Sequence, residues 1–216
     1  MSSAAPSWPK RRFSQAISEG DGISVIPLVR GALELLADAS EHAGAEALAV
    51  GSVSDLRRLR PRTELPLLVR SAVDDADTMR SLRAAGADAC VLVYEQLAED
   101  DALLEELVSL AWELGLDVAL DVSDEEQLEE ALERVDPEIL VLSERDRELD
   151  EVETEVTLDL LPDVPAGKLV VSDSAVTTRE QVLELERAGV DAVLVSELPG
   201  DPAYGAALAE LTGTSG

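Results

Sequence analysis

Lysine is nearly missing from this chain. Only Lys10 and Lys168 occur, although Lys and Arg together number 17. Histidine occurs once, as His42, so a Ser-His triad or a histidine metal cluster lacks its parts. Cysteine also occurs once, which excludes an internal disulfide. That residue, Cys90, sits in the apolar run ACVLV and reads as core rather than as a nucleophile. Aromatics make up 2% of the chain, so Leu, Val and Ala must fill the interior. No apolar run approaches the roughly 18 residues of a membrane span. The start, MSSAAPSWPKRRF, has no apolar stretch of the secretory kind, and the cytoplasm is the expected location.

Acidic charge is abundant. Asp and Glu total 46, and the formal net charge is −29. Such a surface repels nucleic acid and anionic membranes, so neither is an expected partner. Few lysines on a dense acidic surface suit a high-salt cytoplasm. Arginine in place of lysine equally suits a GC-rich genome.

Apolar runs of five to eight residues alternate with segments of helical period. The runs at 23–29, 46–51, 65–71, 89–94, 117–123, 138–144, 168–174 and 191–197 read as strands. Helices are expected over 32–44, 54–60, 76–86, 101–115, 125–135, 156–164, 178–189 and 202–211. The strands are continuous aliphatic runs, which suits a parallel sheet covered on both faces. Eight βα units in 216 residues predict a compact (β/α)₈ TIM barrel with shortened βα loops. An open doubly wound sheet is the alternative, but no Gly-rich phosphate fingerprint follows the first run. The barrel is expected to occupy residues 11–212 as a single domain, after a disordered 1–10. RRFSQAISEG is expected to form a short helix under the barrel, and the tail TGTSG to be loose.

A pattern recurs within the chain. HAGAEALAVG, AAGADACVLV and RAGVDAVLVS each place an acid two residues after a glycine, just before a strand. RVDPEILVLS is a weaker fourth copy. The glycines fit helix C-caps. The copies precede strands 2, 4, 6 and 8, as a barrel of repeated quarters would show. The arginines at 57, 58, 60 and 62 read as a solvated helix face near a C-terminus. Trp112 reads as a helix-packing residue.

Barrel chemistry sits at the C-terminal ends of strands. The polar residues there are Arg30, Arg70, Asp121, Ser143, Arg145, Asp173, Ser174 and Ser196. Arginines and carboxylates would therefore face one another across a mouth. They could pair with each other or hold an anion.

RRFSQAI, LPLLVRS, GLDVALDVSDEEQLEEAL, LSERD, VVSDSAVTTREQV and AGVDAVLVSE occur in that order. In order and spacing the chain resembles the indole-3-glycerol phosphate synthases, (β/α)₈ lyases of tryptophan biosynthesis. The resemblance implies catalytic positions at Arg30, Arg70, Asp121 and Ser143, and ligand-binding positions at Arg145, Asp173, Ser174 and Ser196. It implies no cofactor or metal, and a small phosphorylated or carboxylated metabolite as partner. A monomer is the expected state.

Several of these positions depart from the family's pattern. Leu28 and Arg30 stand where the family has glutamate and lysine. Arg70 stands for the lysine that acts as general acid, Asp121 for a glutamate and Ser143 for an asparagine. Asp173, Ser174 and Ala175 stand for Glu-Ser-Gly, and Ser196 for a glycine that lets phosphate approach. A guanidinium cannot be tuned to give up a proton near neutral pH as a lysine can. Positive charge is kept at both lysine positions, so attraction for an anion survives. Three functions stay open on these residues. They are the family's decarboxylating ring closure, non-catalytic binding of a small anion, and a pseudoenzyme kept for its fold or a partner surface.

Overall fold

A computed structural model describes residues 12–20, 22–71, 73–143, 155–200 and 202–214. The expected disordered 1–10 lies outside the described residues. The chain runs α1 (Arg12–Ser18), β1 (Ser24–Val29), α2 (Leu33–His42), β2 (Leu48–Val50), α3 (Val53–Leu59), β3 (Leu67–Val69), α4 (Ala76–Ala85), β4 (Ala89–Val93) and α5 (Tyr94–Leu97). It continues through α6 (Asp101–Leu114), β5 (Asp117–Val122), α7 (Glu125–Arg134), β6 (Ile139–Ser143), α8 (Glu155–Leu160), β7 (Leu169–Asp173), α9 (Arg179–Ala188), β8 (Ala192–Val195) and α10 (Tyr204–Thr212).

The strands close into one parallel barrel in sequence order. Closure runs through β1 and β8, with Ser24 opposite Ala192 and Pro27 opposite Val195. That pairing excludes the open doubly wound sheet. The chain is a (β/α)₈ TIM barrel.

Two apolar layers follow from strand alternation. One set of strand side chains points into the lumen and the other points at the helices. The lumen holds Ile26, Leu28, Leu68, Val91, Val141 and Leu194 among small alanines, all buried. The chain's one phenylalanine, Phe13 on α1, joins Ile17 in plugging the lumen from below. The expected bottom helix is therefore present, and the Ser14 amide fixes it by donating to Asp117 at 2.9 Å.

The recurring acids have a structural task. Asp88 accepts from the Leu67 amide at 2.9 Å, and Asp191 from the Val170 amide at 2.7 Å. Each carboxylate thus pins the start of the preceding strand. Glu46 takes the Ser24 hydroxyl. The glycine two residues before each of these acids is left-handed: φ is 80° at Gly44, 98° at Gly86 and 106° at Gly189. Gly115 at 64°, followed by Asp117, is a fourth member of this set. The pattern therefore precedes strands 2, 4, 5 and 8. It answers a local need to end a helix and anchor a strand, and does not mark quarters. In RVDPEIL the glycine's place at positive φ is taken by Asp136, at 44°.

Three expectations need correction. Arg60 is no solvated residue: its side chain is 7% exposed and pairs with Asp88 at 2.8 Å. It also donates to the Thr63 and Leu65 carbonyls. Burial pulls the Arg60 guanidinium down from its ordinary pKa, while Asp88 pushes it up. Trp112 is 71% exposed. The buried stripe of α6 runs through Leu104, Leu107 and Ala111, and the next residue is turned about 100° away from it. Trp112 borders a cleft of about 360 Å³ near the start of β6. Thr212 and Thr214 both donate to the Ala43 carbonyl, at 2.6 and 2.9 Å, so the tail is tied through Thr214.

Cys90 is fully buried on β4, and desolvation, helped by Asp117, pushes its thiol up to about 12. The thiolate is the reactive form. We expect no labelling of the native protein by a thiol reagent at pH 8, and full labelling in denaturant. Rapid stoichiometric labelling without denaturant would contradict the buried placement. Among the described residues, no helix is long and apolar enough to cross a membrane.

Candidate functional site

The lumen-facing positions of β3, β5, β6, β7 and β8 rise through Leu68, Ala119, Val141, Val171 and Leu194. Two residues further on, the same alternation brings up Arg70, Asp121, Ser143, Asp173 and Ser196. Leu28 on β1 is followed in the same way by Arg30. The apolar layer is thus the floor of a polar mouth.

Three groups lie side by side on one arc of this mouth. Ser143 is in register with Asp173 on the neighbouring strand, and its hydroxyl donates to Asp121 at 2.5 Å. Both Asp121 and Ser143 are 4% exposed. Facing this arc is Arg70. Strands β3 and β7 are four places apart in a closed ring of eight and so lie opposite each other. Arg70 nevertheless forms an ion pair with Asp173. The long arginine side chain, met by a carboxylate from the other wall, closes that span. The pair is a strut across the barrel mouth.

The other sequence-predicted positions behave differently. Arg30 is exposed at the rim and makes no hydrogen bond or ion pair among the described residues. Ser196 is half-buried just past β8. Ser174 is buried but turned from the lumen. Its hydroxyl meets Ser172 at 2.7 Å, and Ser172 meets Thr157 of α8 at 2.8 Å. That hydroxyl chain lies between β7 and the helix layer. Arg145 lies outside the described residues.

The loop after β7 keeps a well-formed helix start. Thr178 caps α9 in a reciprocal capping box with Gln181. His42 is exposed on α2, where its ring Nδ1 lies 2.6 Å from the Asp38 carbonyl. Lys168 pairs with Asp136 at 2.5 Å, at the opposite end of the barrel from the mouth. No group of three His, Cys, Asp or Glu suited to a metal occurs among the described residues. Every buried side-chain nitrogen and oxygen there has a partner. Arg70, Asp173, Asp121 and Ser143 are therefore paired among themselves, while Arg30 stands exposed at the rim.

Tyr94 falls in the run expected as the fourth strand, but in the structure it begins a helix. It opens α5 directly after β4, donates to Glu130 at 2.7 Å and carries Arg134 over its ring at 5.8 Å. The only signal for it was a tyrosine at the end of an aliphatic run.

A family model described as indole-3-glycerol phosphate synthase matches residues 33–201. The indole-3-glycerol phosphate synthase of Variovorax paradoxus (strain S110) is 35% identical over 185 residues, covering 86% of this chain and 64% of that protein. The one from Bordetella pertussis is 38% identical over 147 residues, covering 68% of this chain and 55% of that protein. The chain thus spans less than two thirds of the length of either relative. Among solved structures, the tryptophan synthase A-subunit of Pyrococcus furiosus superposes with a TM-score of 0.69 at 16% identity, covering 89% of this chain and 98% of that one. The N-acetylmannosamine-6-phosphate 2-epimerase of Clostridium perfringens gives 0.68 at 16% identity, covering 91% of this chain and 93% of that one. At that identity the likeness is one of fold.

Proposed function

This chain belongs to the indole-3-glycerol phosphate synthase family, and from that premise we propose that its mouth binds a small phosphorylated or carboxylated metabolite without the family's ring closure. The observation that carries the reading is the Arg70–Asp173 pair. It holds a permanent cation where the resemblance to the family places a proton-donating lysine. A general acid must lose and regain a proton near working pH, and guanidinium does not. On β1 the position matched to the family's glutamate is Leu28, which is buried and apolar. Arg30 and Arg70 keep the charge that attracts phosphate or carboxylate.

The test is turnover together with binding. Purified protein at high concentration receives the family substrate, a carboxyphenylamino-deoxyribulose phosphate, and indole fluorescence is followed. We expect silence, with phosphate raising the melting temperature at matched ionic strength. Turnover would overturn the non-catalytic reading. Silence with no anion effect would leave only a role for the fold or its surface.

A second reading is favoured by Asp121. This buried carboxylate, held by Ser143, stands at the position matched to the family's strand 5 glutamate. It would accept a proton in a slow residual ring closure. Weak turnover that disappears in Asp121→Asn, with the fold intact, would establish that reading.

A further inference from the structure

A chain that is only 2% aromatic leaves one of its two tryptophans in solvent. Trp112 is 71% exposed on α6, and Leu35 is the other exposed large apolar side chain among the described residues. Beside Trp112 lies the cleft of about 360 Å³, walled by Val108, Val135, Pro137 and Ile139. The ionisable residues lining it are Asp117, Asp136 and Glu138, all of them acidic. We propose that this cleft is a docking site for the chain's own residues 1–11, with Trp8 seated against Trp112 and with Lys10 and Arg11 facing the carboxylates. This docking is independent of anion binding at the mouth, which lies at the other end of the strands.

The chain enters α1 at the edge of the cleft. α1 starts at Arg12, and the Ser14 amide donates to Asp117 at 2.9 Å. Asp117 is itself a lining residue. Eleven residues reach up to about 36 Å when fully extended, more than a neighbouring cleft requires. So short a tether also presents the segment at a high effective concentration.

Charge selects the occupant. The protein carries 46 acids against 17 lysines and arginines. A second copy of so acidic a chain would bring repulsion to a cleft rimmed by carboxylates. Residues 1–11 hold Lys10 and Arg11 and no acid. The rim already draws one cation, since Lys168 meets Asp136 at 2.5 Å.

The sequence of the segment suits the apolar part of the cleft. In APSWP, Pro6 and Pro9 bracket Trp8. Proline fixes its own φ and pushes the residue before it towards an extended backbone, which here is Trp8. Extended proline-bearing segments dock in aromatic-lined grooves at low entropic cost. An indole laid against Trp112 removes apolar surface of both rings from water.

The two tryptophans can be read one at a time in the full chain. Trp112→Phe leaves Trp8 as the sole tryptophan, and Trp8→Phe leaves Trp112. Emission maximum and acrylamide quenching are measured for each, with and without Lys10→Glu and Arg11→Glu, at low and high protein concentration. We expect Trp8 to emit to the blue and to be shielded from acrylamide. The charge reversals should move it to the red and open it to the quencher, and Trp112 should lose shielding in the same reversed chain. A Trp8 quenched as freely in the folded chain as in denaturant would overturn the proposal. Shielding that the charge reversals leave unchanged would overturn it as well. Shielding that grows with protein concentration would give the cleft to a second copy instead. The charge reversals lie before α1, and circular dichroism checks that the barrel is intact in every variant. None of these outcomes bears on turnover or anion binding at the mouth.

Discussion

Asp88→Asn is expected to lower the melting temperature by about 10 °C, among the largest losses available to a single isosteric change in this chain. Arg60 and Asp88 are 7% and 1% exposed, so solvent does little to screen them. Asn keeps an acceptor for the Leu67 amide but withdraws the charge that compensates Arg60. Arg12, 3.8 Å from Asp88, loses a partner as well. Breaking a buried pair from one side costs about 3–5 kcal/mol. For a chain of this length each kcal/mol moves the melting temperature by about 2–4 °C. Asp88→Ala should cost more, because the Leu67 amide then also loses its acceptor. Thermal unfolding of both, beside the exposed control Asp77→Asn, decides the matter. If Asp88→Asn shifts no further than that control, the pair is not a determinant of stability.

Gly86→Ala is the second large effect, and Gly189→Ala is its calibration. Both glycines cap helices at positive φ, at 98° and 106°. An L side chain at such a φ costs about 1–2 kcal/mol. At Gly189 an added Cβ meets nothing within 4 Å, so only that strain should be felt. At Gly86 the same atom would stand 2.6 Å from Arg60 Cγ and 2.7 Å from Cδ. Arg60 cannot swing aside without giving up Asp88 and the Thr63 and Leu65 carbonyls. We expect Gly86→Ala to lose about 3 kcal/mol or more, and Gly189→Ala about half of that. Denaturant midpoints at constant slope measure both. Equal losses would mean that the Arg60 side chain yields freely, contrary to its buried hydrogen bonds.

Arg60, which both substitutions disturb, is not legible in the sequence, although much of the fold is. All eight strands were legible because each is an aliphatic run flanked by helical period. The lumen-facing register was not, because the strands are continuous aliphatic runs on both faces; only the closed barrel shows Leu68 and Val171 in the lumen, with Arg70 and Asp173 two residues beyond them. Nor was Arg60. Its partner is 28 residues away, and nothing local separates it from Arg57 and Arg58 on the same helix. The mouth was half legible. Arg30 and Arg70 each stand two residues beyond a lumen position, and alternation treats them alike. What separates them is the opposite wall: β7 offers Arg70 a carboxylate, while Arg30 stays exposed. Such a difference appears only when the ring is closed. The direction of Ser174 was not legible for a related reason. Ser172 and Ser174 share a parity that faces the helices, and α8 supplies the hydroxyl that receives them.

The acids that pin the strand starts have one more consequence. They and the polar mouth lie at opposite rims of the same strands, with an apolar lumen between them. Interactions well separated in space, with no shared partner, contribute almost independently to stability. Replacing a charged or proton-donating group at the mouth therefore leaves the lower anchors untouched. The barrel can be rewritten at one rim while the other keeps it folded, and a chain built in this way can change its chemistry without changing its shape.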